Sequence, residues 1–135
     1  MKIKSKTRYA LLVVLVLFCS FGCQSKNPVR TVNITLRNDS TNDLDWVKLE
    51  WNGPGVPGGI LSRGIGSTSV GVEWISVETA KLTFVDDKTR EPYSIQVSLS
   101  EINKEVLSGK CNHVTIRILS YSNADAVCET DPEIK

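Results

Sequence analysis

The sequence predicts an all-β fold, an antiparallel β-sandwich with about seven strands and at most one short helix. Three observations predict it. Apolar residues recur at every second position through most of residues 31–130, the period of a half-buried strand. Clusters of Asp, Asn, Ser, Gly and Pro separate these runs, as turns do. One stretch alone has helical spacing. A small closed barrel is the alternative architecture.

The elements follow in order. Val32, Ile34 and Leu36 alternate with Asn33, Thr35 and Arg37. Asp39 to Asp43 is a turn cluster. Val47, Leu49 and Trp51 then alternate with Trp46, Lys48 and Glu50. Gly53 to Gly59 reads as a Gly/Pro loop, followed by a short apolar step at Ile60 and Leu61. Ser67 to Trp74 is a further strand. Leu82 and Phe84 alternate with Lys81, Thr83 and Val85, and Asp86 to Glu91 turns the chain. Tyr93, Ile95, Val97 and Leu99 show the cleanest alternation. Ser100 to Gly109 is the candidate helix, with Ser100 as cap, Ile102 and Val106 on one face and Gly109 as terminator. Val114, Ile116 and Ile118 open a last hairpin that Ala126 to Cys128 closes. The arrangement resembles an immunoglobulin-type sandwich in architecture. It lacks that family's cysteine–tryptophan–cysteine order, because all three tryptophans precede Cys111 and Cys128.

The first 22 residues read as a leader. Lys2, Lys4, Lys6 and Arg8 form a basic start without acids, and Ala10 to Phe18 is an unbroken apolar run. Small Ser20 and Gly22 then precede Cys23. This is the layout of an export signal. The run is shorter than the roughly 20 residues a spanning helix needs; a retained N-terminal anchor is the alternative. Ser20-Phe21-Gly22-Cys23 resembles the lipobox of bacterial lipoproteins, with Gly22 and Cys23 matching and Ser20 standing where Leu is usual. The resemblance covers residues 1–23. It implies cleavage between Gly22 and Cys23 and a diacylglyceryl group on the Cys23 thiol. Gln24 after the cysteine implies transfer to the outer membrane. Residues 23–30 become a short lipidated tether, 31–130 the domain and 131–135 a C-terminal tail.

The whole chain carries 16 basic and 15 acidic residues. Without the four leader cations, 12 basic face 15 acidic residues, a net of −3. A mildly acidic domain argues against a nucleic-acid partner, which needs a positive surface, and against electrostatic docking on anionic lipid. Given the lipobox, Cys19 leaves with the leader and Cys23 takes the lipid. Cys111 and Cys128 are then the pair left to form a disulfide in an exported protein. Pairing 111–118 with 121–128 around a turn near Ser120 would set Cys111 opposite Cys128. A metal site using Cys111 and His113 is the competing reading, but no neighbouring ligands complete a tetrahedral set. No metal or other cofactor is expected.

Catalytic motifs are few. His113 is the single histidine, and strand alternation turns it outward beside Thr115 and Arg117. No serine sits in Gly-x-Ser-x-Gly. Glu73, Glu78, Asp86, Asp87 and Glu91 lie at strand ends and in a turn, with nothing to select a pair for glycoside hydrolysis. The glycine-rich segment leads into no helix, so it does not read as a phosphate cradle. Trp51 shares its face with Val47 and Leu49 and is expected in the core. Trp46 faces the other way, and with Val56 and Pro57 it forms the candidate partner-binding surface.

These features point to a non-enzymatic, lipid-anchored module facing the periplasm and binding another envelope protein. General resemblance to small exported immunity lipoproteins implies an inhibitor of a secreted effector. An accessory lipoprotein of a secretion or envelope assembly is the alternative. A small hydrolase or carbohydrate-binding module is the third reading.

Overall fold

The computed structural model describes residues 29–51 and 55–129. The expected leader with its cleavage residue Gly22, the expected lipid site Cys23 and most of the expected tether lie outside these, as do Gly53, Pro54 and the tail. Eight strands and one helix follow in the order β1 (Thr31–Asn38), β2 (Leu44–Glu50), β3 (Val56–Leu61), β4 (Gly66–Glu73), β5 (Thr79–Asp86), β6 (Pro92–Ser98), α1 (Ser100–Leu107), β7 (His113–Ile118) and β8 (Ala124–Glu129). They form two four-stranded sheets, ordered β4-β1-β7-β8 and β3-β2-β5-β6. The β1–β7 pair is parallel and the others are antiparallel. The two sheets pack as a sandwich rather than closing into a barrel.

The alternation written in the sequence builds the core. Val32, Ile34 and Leu36 of β1 meet Val47 and Leu49 of β2 and Leu82 and Phe84 of β5, all buried. Burying an aliphatic or aromatic side chain of this size contributes about 1.5–3 kcal/mol. A three-residue step interrupts the pattern. Leu44 and Val47 are both buried although they lie three apart, which strict alternation forbids. The register explains this: β2 shifts between Leu44 and Val47 against β3, and between Asp45 and Lys48 against β5. A β-bulge absorbs the extra residue.

Three sequence expectations change. The Gly/Pro segment is not a loop throughout, because β3 begins at Val56. Pro57 is tolerated there since β3 is an edge strand. Gly58 is required by close packing: a Cβ would sit 3.1 Å from Leu36 Cδ1 and from Val47 Cβ. The helix starts at Ser100 with Leu99 at the N-cap position and no side-chain cap, so Ser100 is a first-turn residue. Ile102 and Val106 are buried as expected, and Gly109 ends the helix at φ +76°, the left-handed geometry glycine adopts without strain. Finally, Cys128 pairs with Val114, and His113 with Glu129. Cys111 lies ahead of β7 rather than opposite Cys128. The disulfide forms nonetheless, with S–S 2.12 Å and Cα–Cα 5.8 Å, because the segment before β7 brings Cys111 back over β8.

The two ends of the sandwich are closed differently. At the Arg30 end, Trp74 Nε1 donates to Asn103 Oδ1 (3.0 Å), and Asn103 Nδ2 donates to the Val77 carbonyl (2.6 Å). These bonds fasten α1 across the base beside the disulfide. At the opposite end Asn38, fully buried, donates through Nδ2 to the carbonyls of Asn42 (2.7 Å) and Leu61 (2.8 Å). Its Oδ1 accepts from the N–H and the hydroxyl of Ser40. One side chain thus satisfies a carbonyl of the β1–β2 connection and the last carbonyl of β3 on the other sheet.

Candidate protein-binding surface

Trp46 sits in the bulge of β2. Between the register pairs Leu44–Leu61 and Val47–Gly59, Asp45 and Trp46 together oppose Ile60. The bulge turns the indole outward, and Trp46 and Ile60 are each 70% exposed. Trp46 also adopts φ +52°, a region where a bulky side chain crowds its own backbone. Asp45 holds it there. Its Oδ1 accepts from the Trp46 N–H at 2.8 Å, and its Oδ2 accepts from Arg90 Nη1 at 2.9 Å. Arg90 in turn sits at φ +61° in the β5–β6 turn and approaches Asp87.

Beside this apolar pair lie exposed Pro57 and the Lys48–Glu50 ion pair at 2.6 Å. The Lys48 hydrogen bond and charge hold the Glu50 carboxyl below its usual range. Val56 behaves differently from its sequence reading. It is 3% exposed and packs in the core against the Leu49 position it pairs with, so it has no surface to offer. Trp51 is buried, tilted against Trp74 with ring centroids 5.9 Å apart. Ile60 was legible only as an apolar step, and the Asp45–Arg90 bracket was missed. The three-residue spacing from Leu44 to Val47 was the signal for both, since it announces the bulge.

Other polar groups are engaged with one another. Tyr121 donates to Asp86 Oδ2, and Asn42 Nδ2 donates to the Tyr121 oxygen at 2.5 Å. Asp86 also accepts from the backbone of Lys88 and Thr89. The Tyr121 hydrogen bond, then these backbone donors, hold the Asp86 carboxyl at about 2. The same carboxylate pushes the Tyr121 phenol up to about 12. Tyr93 stacks on Tyr121 at 4.3 Å. Of the five acids weighed for hydrolysis, Asp86 is therefore committed to a structural network, and Asp87 faces Arg90.

His113 Nε2 lies 2.8 Å from Thr35 Oγ1, which lies 2.7 Å from Thr68 Oγ1. A histidine beside a hydroxyl is half of a nucleophilic site. This chain of groups runs across the flat outer face of β4, β1 and β7. Cavities of about 110 Å³, lined by Trp51, Val72, Glu73 and Ile75, and about 230 Å³, lined by residues 40–42 and 119–121, lie elsewhere. Glu105, Cys111 and Cys128 place three ligand atoms within 4.8 Å of one another, but both sulfurs are spent in the disulfide. Among the described residues no helix is long and apolar enough to cross a membrane.

No protein-family model matches the sequence, and no curated protein does. A solution structure of a protein from Eubacterium rectale is similar at 18% identity and TM-score 0.46, covering 84% of this chain and all of that one.

Proposed function

We propose that the protein is a lipid-anchored module on the periplasmic face of the outer membrane, non-catalytic, which binds and neutralises a secreted effector protein. The observation that carries the binding claim is Trp46. A large aromatic stands in water on a left-handed backbone, in the middle of a strand, fixed by a half-buried carboxylate and an arginine. Both features oppose stability: the conformation costs on the order of 1–2 kcal/mol, and the indole gains nothing from burial. Such an arrangement persists where a partner supplies the missing contact. Tryptophan is the side chain most enriched at interface hot spots, and Ile60 and Pro57 widen its apolar footprint. The anchor rests on the leader pattern and on Cys23.

The test is crosslinking in the intact envelope followed by purification of the tagged full chain. The parent should retain one effector-type protein and suppress its activity. Trp46→Ala with Ile60→Ser should lose at least thirtyfold in affinity, the size of a hot-spot loss of about 2 kcal/mol. Equal retention by the double variant refutes the surface. Cys23→Ser should release the protein from the membrane; an unprocessed, membrane-bound variant refutes the lipid anchor.

A further inference from the structure

We propose that β4 is a peptide-binding edge that takes an extended segment of another protein as an added strand. It is a separate surface from the Trp46 patch, on the other sheet. Among the described residues β4 pairs with β1 alone. An antiparallel ladder uses every second residue of an edge strand and turns the others outward. Asn38 N–H donates to the Ile65 carbonyl where β4 begins, and Leu36 and Ile34 stand opposite Ser67 and Ser69. Gly66 and Thr68 therefore present their N–H and C=O groups, and Val70 its N–H, to the free side. Open main-chain groups at this spacing recognise another extended backbone.

The other three edges are guarded in the usual ways. β3 contains Pro57. β8 carries Asp125 and Glu129. β6 begins at Pro92, and Tyr121 stacks over its Tyr93. From Gly66 to Val72, β4 has neither a charge nor a proline. None of its eight residues is buried, and Val70 is 79% exposed. Its bulge is Val70 and Gly71, which together oppose Asn33, with Gly71 at φ +67°, so the regular alternation runs from Gly66 to the Val70 N–H. Glu73 closes the strand as its only charge and makes no ion pair among the described residues. The fitting occupant is thus an uncharged, β-branched segment with a basic residue reaching Glu73.

A second copy fits less well. Two-fold pairing of β4 with itself is antiparallel and would set the two Arg30 ends at opposite ends of the joined sheet. With the membrane tether proposed above, one copy would have to span a strand length of about 26 Å to reach the same surface, nearly the whole of the about 29 Å that residues 23–30 extend.

Thr68→Pro isolates the proposal. The Thr68 N–H faces away from β1, so proline leaves that ladder whole while removing an outward donor. The full chain, purified in detergent, is panned with a displayed library of random ten-residue peptides. Enriched peptides should bind Thr68→Pro and Val70→Lys at least tenfold more weakly than the parent. They should slow amide exchange at Gly66, Thr68 and Val70, and bind Trp46→Ala like the parent. Val70→Lys decides the matter if the proline variant fails to fold. No enrichment, or peptides that bind both β4 variants as well as the parent, overturns the proposal. A parent dimer in sedimentation that Val70→Lys dissociates also overturns it, in favour of a second copy.

Discussion

The two sheets share one core but present opposite kinds of outer face. The face of β4, β1, β7 and β8 carries polar side chains that bond one another. Thr68, Thr35 and His113 are linked in a row, and Arg117 meets Asp125 through two hydrogen bonds at 2.8 and 2.5 Å. The face of β3, β2, β5 and β6 leaves Trp46 and Ile60 side by side in water. The difference is energetic. Groups that already bond one another must break those bonds to meet a partner, whereas exposed apolar surface gains about 25 cal/mol per Å² on burial. A face of the second kind is where protein binding starts.

The predictions separate what the faces share from what each does alone. The largest effect belongs to the shared core. Phe84→Ala should cost about 3–5 kcal/mol, because Phe84 packs between the sheets and beside Tyr93 and Tyr121; denaturant unfolding should show one transition for both faces. Next, Cys111→Ala with Cys128→Ala should cost about 3 kcal/mol, the chain-entropy value for a loop of this length, with the Trp46 surface unchanged. Asp86 and Tyr121, which join the two sheets at one end, give a pH signature. Asp86 titrates at about 2 when folded against an ordinary 3.8, so its stabilisation is complete above 3.8 and is lost as pH falls towards 2. Tyr121 rises from 10 to about 12, so its contribution is complete below pH 10 and lost as pH climbs through 12. Tyr121→Phe should flatten both limbs in thermal melts across pH. The smallest effect tests the polar face. Thr115 is 2% exposed, and its Oγ1 has no hydrogen-bond partner. Thr115→Val should therefore be neutral or stabilising by up to about 1 kcal/mol.

Much of this was legible in the sequence. Period-two alternation located β1, β2, β5, β6 and β7, because each has one buried face. It located β4 only roughly, as this strand buries nothing, and it missed β3, where Pro57, Gly58 and Gly59 read as loop. Gly58 is there for the close approach of Leu36 and Val47, a tertiary demand that no local pattern carries. Trp46 and Trp51 were correctly assigned to opposite faces. Val56 was misplaced because its strand was. The Cys111–Cys128 pairing was legible and its register was not, since the chain bends before β7. The polar knot around Asn38 and Asp86 joins residues far apart in sequence, and turn composition concealed it.

The central claim is that Trp46 is kept exposed and strained for a partner. Trp46→Gly tests it most directly, with unfolding and partner affinity measured on the same protein. Relief of the φ +52° backbone should raise stability by about 0.5–1 kcal/mol, the left-handed penalty less the flexibility of glycine, while affinity falls at least thirtyfold. A variant that is less stable than the parent, or that binds the partner equally well, contradicts the account.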